Sequence, residues 1–169
     1  MNYTIKAAKK SKIFEKICIS SDEYNFLDTL KVKGVEKFYR KKKLARTKST
    51  LVNVCLDFIK EFEIKYFKID ILCLLYPTAI FRDQNDILQT FKLLNSKCHF
   101  ALAATKYSLP PHQALLIKKN YYVKPLFKKL IKKNEKDIGK LVVDNGSTYF
   151  SKVNEFKKQR TFYCKNLRV

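Results

Sequence analysis

Ser21 and Asp22 follow directly on the apolar run Ile17-Cys18-Ile19, within the stretch Ser20-Ser21-Asp22-Glu23. Hydroxyls and a carboxylate at the end of a buried strand stand where α/β sheets bind ligands, at the carboxyl edge. Capping of a following helix is the competing use of Asp22, because Asp is a preferred N-cap. Tyr76 and Thr78 flank Pro77 at the end of residues 69–75 (IDILCLL) and could hydrogen-bond a ligand or simply form a turn. Asp144 and Asn145 lead into Gly146, and Tyr149 lies in the β-prone Thr148-Tyr149-Phe150. Arg40 opens the basic run Arg40-Lys41-Lys42-Lys43, where a fixed guanidinium would be a directional donor and a solvated one would not. Ser49 and Thr50 stand at the start of a helical pattern, where hydroxyls bind or cap. His99 and His112 have no neighbours at metal-ligand spacing, so neither is assigned a metal.

These groups need a scaffold that brings distant segments together. Residues 3–14 place Ile5, Ala8 and the Ile13/Phe14 pair at helical spacing, and residues 17–19 form a short strand. Residues 47–62 form a helix in which Val54, Phe58 and Phe62 recur every fourth position. The near-continuous apolar run 69–75 implies a strand buried on both faces, hence a parallel sheet covered by helices. A helix over 83–94, carrying Ile87, Phe91 and Leu94, and a strand over 100–104 continue the alternation. The expected architecture is α/β: a Rossmann-like, three-layer fold whose mostly parallel sheet has 69–75 at its centre, between 17–20 and 100–104. From residue 106 the rhythm changes. Pro110-Pro111 breaks the chain, 114–117 reads as an edge strand, and 121–140 is a lysine-rich excursion. The chain re-enters the core at Leu141-Val142-Val143, and Asp144-Asn145-Gly146 is expected to turn before the last strand.

A chain of 169 residues with 46% hydrophobic content supports one folded domain rather than two. The net charge of +21 would suit a polyanion such as nucleic acid. Only five of the basic residues are arginines, and the lysines are spread along the whole chain, which favours a compositional drift over a dedicated nucleic-acid surface. The five cysteines are far apart, with no C-x-x-C pair, and read as buried thiols in a reducing compartment. With no apolar run of membrane-spanning length and a polar amino terminus, the cytoplasm is the expected location and a membrane is not an expected partner.

Four segments, in order, resemble the acylneuraminate cytidylyltransferase family. Residues 3–22 (YTIKAAKKSKIFEKICISSD) are similar to that family's first helix and second strand with its Ser/Thr-Asp turn. Residues 40–51 (RKKKLARTKSTL) are similar to its R-P-x-x-L-A-x-D stretch and the small hydroxyl residue that follows. Residues 74–82 (LLYPTAIFR) are similar to L-x-P-T-x-P-x-R, and residues 144–150 (DNGSTYF) to the late D-x-G-x-x-Y or N-G-x-x-Y strand. Tyr76, in place of the glutamine usual in sialic acid synthetases, and residues 110–117 (PPHQALLI) resemble the pseudaminic acid branch.

The resemblance implies attack by the anomeric hydroxyl of an α-keto sugar acid, such as pseudaminic or N-acetylneuraminic acid, on the α-phosphorus of CTP. The products are a CMP-sugar for surface glycans and pyrophosphate. It implies a nucleotide side built from Ser21, Asp22, Arg40, Ser49 and Thr50, with Arg40 near the cytidine, and a sugar side built from Tyr76, Thr78, Asp144, Asn145 and Tyr149. Mg2+ is the expected cofactor, and a homodimer the expected assembly, with 121–140 as the exchange or interface region. The sequence also departs from the family. No glycine-rich basic loop of the type P-A-R-G-G-S-K occurs, only Gly34, Gly139 and Gly146 being present; the late acidic pair that holds magnesium is missing; and Thr47 stands where the family has an aspartate. The chain therefore reads as the middle of an enzyme, truncated at both ends and lacking the first strand, and no catalytic residue is assigned. An inactive or degenerate relative and a basic nucleic-acid-binding module are the competing readings.

Overall fold

The computed structural model describes every residue except Thr47 and Lys48. The first two positions of the helix expected from residue 47, and Thr47 at the family's aspartate position, thus lie outside the described residues. The chain forms a mixed α/β structure of two units, Met1–Ala103 with Gly146–Val169, and Ala104–Asn145.

In the first unit the order is α1 (Asn2–Ser11), β1 (Cys18–Ser21), α2 (Tyr24–Thr29), β2 (Glu36–Tyr39), α3 (Leu51–Lys65), β3 (Ile71–Leu75) and α4 (Gln84–Lys92). β4 (Phe100–Lys106) leads out of this unit and β7 (Val142–Lys152) leads back, followed by α5 (Val153–Gln159) and β8 (Leu167–Arg168). Local sequence signals explain the helix starts. Asp83 accepts from the backbone N–H groups of Asn85 and Asp86 at 2.8 and 3.0 Å, and Asp86 accepts in return from the Asp83 N–H at 3.0 Å, a full capping box for α4. Thr50 caps α3 by accepting from the Asn53 N–H at 3.2 Å.

The core forms around β7, whose side chains alternate between faces. Phe150 is buried with Ala7 of α1, Ile87 of α4 and Ala101 of β4, and its ring meets Phe14 at 6.3 Å and Phe91 at 5.5 Å. Its neighbour Tyr149 points the other way, against Phe162 at 5.2 Å, and Phe162 in turn packs on Phe156 of α5 at 4.7 Å. Lys157 of α5 binds Glu63 of α3 at 2.7 Å, so these two helices lie on that same side. Helices thus cover both faces of the strand, as the apolar runs predict.

Strand order departs from expectation. β3 is not flanked by β1 and β4: the four-stranded sheet runs β3-β7-β4-β8, with β3 at its end and antiparallel to β7 in the register Cys73↔Phe150 and Leu75↔Thr148. β1 pairs in parallel with β2, Cys18↔Glu36 through Ser21↔Tyr39, in a sheet of its own. The place of β7 beside β3 agrees with burial: Ser147 to Ser151 are all buried, as suits an inner strand of the sheet. The turn expected at Asp144-Asn145-Gly146 is also absent. These residues lie inside β7, where Gly146 takes φ +65°, a conformation open to glycine, and lets the strand bend without ending it. All five cysteines are free; Cys55 and Cys98 are buried, and Cys18, Cys73 and Cys164 are partly so. Burial pushes the Cys55 thiol up to about 12, and burial followed by the Glu36 charge pushes Cys18 up to about 11, so both are protonated at neutral pH.

The second unit is built on a hairpin. β5 (Leu115–Ile117) pairs antiparallel with β6 (Val123–Pro125), and the connection is closed by Lys118 N–H donating to the Tyr122 carbonyl at 2.6 Å. Asn120 and Tyr121 take positive φ in that connection. Leu115, Leu116, Ile117, Tyr121, Tyr122 and Val123 are all exposed. Among the described residues no helix is long and apolar enough to cross a membrane.

Candidate functional site

Because β1 and β2 are parallel, their carboxyl ends lie side by side, and this brings Ser21, Asp22 and Arg40 together. The Arg40 N–H donates to the Ser21 carbonyl at 2.8 Å. The Arg40 guanidinium binds the Asp22 carboxylate directly, both side chains being about three-quarters buried. Ser21 Oγ accepts from the Glu23 N–H at 3.1 Å, and Tyr24 donates its hydroxyl to the Arg40 carbonyl at 3.3 Å. Arg40 Nε is buried and has no partner among the described residues. Capping is not what Asp22 does: α2 begins after Glu23 without a side-chain cap, since the arginine from the adjacent strand claims the carboxylate. Arg40 likewise differs from the solvated run around it. The hydrogen bond and charge of Arg40 hold the Asp22 carboxyl below the usual carboxylate range.

A depressed carboxyl contributes stability that is present above its unfolded value, near 3.9, and is lost as pH falls through the lower folded value. Replacing Arg40 with Met is expected to move the Asp22 titration back up toward that ordinary value, followed by carboxyl-carbon NMR. The acid limb of the stability profile should move up with it. An unshifted Asp22 titration in the variant would show that the pair does not form in solution.

Ser49 and Thr50 are occupied locally. Ser49 Oγ donates to the Lys43 carbonyl at 2.9 Å, and the Thr50 hydroxyl accepts the cap bond of α3. Lys41 is taken by Asp57 at 2.9 Å and Glu61 at 2.8 Å; donation to Glu61, then to Asp57, raises its pKa.

The sugar-side residues of the first unit meet at the end of β3. The Tyr76 N–H donates to the Ser147 carbonyl at 3.1 Å, extending the β3–β7 ladder by one step, and the Tyr76 ring stands edge-on to Tyr149 at 5.9 Å. Tyr149 is 5% exposed, so its ring is a core ring as well as a site candidate. Thr78 is exposed, and its carbonyl accepts from Ile80 N–H at 3.0 Å in the turn after Pro77. Arg82 closes this turn from inside, donating to the Tyr76 and Ser147 carbonyls. Asp144 and Asn145 belong to the second unit, Asn145 exposed and Asp144 partly buried. Ser21 and Asp22 with Arg40, and Tyr76 with Tyr149, are therefore the candidate residues that the fold brings together.

Sequence reasoning named neither Tyr24 nor Arg82 for the site. Nothing local marks Tyr24, whereas Arg82 stood in plain view as the last residue of the segment 74–82. Among the described residues there is no group of three or more His, Cys, Asp or Glu side chains that could hold a metal ion. His99 Nε2 lies 2.8 Å from the carbonyl of Ser96, which accepts from it, and His112 is buried.

Residues 1–135 match the sequence model of the family described as Cytidylyltransferase. The chain is 28% identical over 167 residues to a Helicobacter pylori protein named pseudaminic acid cytidylyltransferase and UDP-2,4-diacetamido-2,4,6-trideoxy-beta-L-altropyranose hydrolase, covering 97% of this chain and 32% of that protein. It is 27% identical over 152 residues to the pseudaminic acid cytidylyltransferase of Campylobacter jejuni, covering 89% and 66%. An Escherichia coli N-acylneuraminate cytidylyltransferase is 29% identical over 110 residues, 64% of this chain and 25% of that protein. The chain thus spans between a quarter and two thirds of the length of these relatives. With four fifths of its length inside the family match, this chain belongs to the cytidylyltransferase family.

Proposed function

We propose that the protein this chain represents transfers CMP from CTP to an acidic nine-carbon sugar of the pseudaminic or N-acetylneuraminic type, releasing pyrophosphate. The relatives named for pseudaminic acid, matched over about nine tenths or more of this chain, support the reading most directly. Within it, the Asp22–Arg40 pair at the carboxyl ends of β1 and β2 is the nucleotide side. The Arg40 guanidinium, held by Asp22 and about a quarter exposed, is then the donor offered to a carbonyl or hydroxyl oxygen of the cytidine. Tyr76, Thr78 and Tyr149 of the first unit serve the sugar side, and Ser49 and Thr50, beside the start of α3, are the remaining nucleotide-side candidates. Magnesium belongs to the reaction as its expected charge-neutralising ion, and no step is assigned to residues of this chain through it. The cytoplasm, where CTP is made, is the proposed location.

The experiment is a titration of the chain with CMP, read by amide chemical shifts. Shifts centred on Ser21, Asp22, Arg40 and Thr50, weakened about 10-fold by Arg40→Met, support the reading, since loss of a charged hydrogen bond has about that effect. Shifts centred on surface lysines, unaffected by the substitution, would oppose it.

Self-association through the hairpin of the second unit is part of the same proposal. A two-stranded hairpin that leaves Leu116, Ile117, Tyr122 and Val123 exposed is marginal by itself and gains from burial against a second copy. Light scattering is expected to show a dimer that Ile117→Lys with Val123→Lys converts to monomer. A monomeric parent chain would remove the assembly without touching the nucleotide site.

A further inference from the structure

We infer that Arg82 is a positioning residue for the sugar side of the site: its buried guanidinium clamps the Tyr76-Pro77-Thr78 turn to β7 and so holds Tyr76 against Tyr149. The assignment of that side to sugar rests on the function proposed above; the clamp itself rests on geometry alone. Arg82 is only 6% exposed. A single nitrogen, Nη1, donates to the Tyr76 carbonyl at 3.2 Å and to the Ser147 carbonyl at 2.6 Å, groups that lie on β3's exit and on β7. The Ser147 carbonyl also accepts the Tyr76 N–H at 3.1 Å, so a backbone donor and the guanidinium converge on one oxygen. Leu74↔Tyr149 and Leu75↔Thr148 are the last ladder pairs before this point. Beyond them the chain turns away at Pro77, and no further ladder bond can hold the turn, because proline has no N–H to donate.

The remaining donors of Arg82 make the role specific. Among the described residues Nε and Nη2 are buried and have no partner, and no carboxylate forms an ion pair with this guanidinium. Burying a cation with open donors is unfavourable, and a core that needed only volume would be served better by an apolar side chain. What an apolar side chain of similar length cannot do is bridge two carbonyls on different elements. The bridge joins the exit of β3 to β7, the two segments that carry Tyr76, Thr78 and Tyr149. A tilt of the turn by about an ångström would move the Tyr76 hydroxyl and Thr78 together relative to β7, and misplacement of that size is enough to weaken a site built from aligned donors.

The test compares the chain with Arg82→Lys and Arg82→Met. Since one nitrogen makes both bonds, a lysine ammonium can reproduce the bridge and methionine cannot. Amide hydrogen exchange reports the clamp without any ligand, at Tyr76 and Thr148, with Ile87 and Thr90 of α4 as internal controls. Ligand-observed NMR then gives the affinities for N-acetylneuraminic acid and for CMP. The expected result is exchange at Tyr76 and an affinity for the sugar acid each changed about 10-fold for the worse in the methionine variant, the size of a lost charged hydrogen bond. CMP affinity and the α4 controls should stay within about 2-fold, a difference under about 0.5 kcal/mol, and the lysine variant should recover both readouts. Unchanged Tyr76 exchange and sugar affinity in the methionine variant would overturn the clamp. So would equal loss of CMP, sugar and α4 protection in both variants, which is a purely structural pattern. If the parent chain binds CMP but no sugar acid, the sugar assignment falls, and exchange at Tyr76 alone decides whether the clamp exists.

Discussion

Assayed beside the full-length Campylobacter jejuni relative with CTP, magnesium and pseudaminic acid, the 169-residue chain is expected to release pyrophosphate at least about 100-fold more slowly. The physical reason is charge. Nucleotidyl transfer depends on donors and cations fixed around the triphosphate, and removal of even one such donor typically costs about 100-fold to 1,000-fold in rate. The chain's three glycines, Gly34, Gly139 and Gly146, each take positive φ at isolated turns or bends, and none belongs to a glycine-rich loop able to cradle phosphates. Among the described residues no group of three or more His, Cys, Asp or Glu side chains is placed to hold a metal. The lysines next to Arg40 are not an obvious substitute, because Lys41, the first of them, is held by Asp57 and Glu61. Turnover comparable to the relative's would overturn this expectation and assign phosphate binding to lysines now read as surface charge.

Replacing Phe150 with Ala is expected to cost about 3–5 kcal/mol, the range for removing a large aromatic ring from a packed core. Phe150 is 1% exposed and touches α1, α4 and β4 through Ala7, Ile87 and Ala101, with Phe14 and Phe91 against its ring. It is also the residue next to Tyr149, on the opposite face of the strand that Arg82 clamps. Against a total stability of about 5–15 kcal/mol for a domain, such a loss removes a large fraction of the folded population's margin. Urea unfolding followed by circular dichroism should show a transition displaced to much lower denaturant or lost altogether. Phe81→Ala is the control: at 95% exposure it should change stability by no more than about 0.5 kcal/mol. Similar effects at both positions would mean that the packing around β7 is not the core of this unit.

Elements governed by near neighbours are legible in the order of the residues alone. The start of α4 follows from Asp83 and Asp86 three residues apart, the cap of α3 from Thr50, and β3 from an apolar run bounded by Tyr76-Pro77. The strand-end positions of Ser21 and Tyr76 can be read for the same reason, since each lies at or directly after the end of its strand. β2 escapes notice because its four residues, Glu36-Lys37-Phe38-Tyr39, are too short and mixed to show a period. The Asn145-Gly146 pair suggests a turn, a local preference overridden by incorporation into the strand Val142–Lys152. Asp22 offers the clearest contrast. Its own neighbours advertise a helix cap, yet the fold gives its carboxylate to Arg40, eighteen residues on, because parallel pairing of β1 and β2 sets the two ends side by side. By itself the sequence determined the family, the α/β class and the residue types of the site, all of which depend on local order along the chain. Only the tertiary structure decided the order of the strands, the partner of Asp22 and the inward turn of Arg82, because those depend on which backbone edges meet, and that is chosen by burial summed over residues far apart.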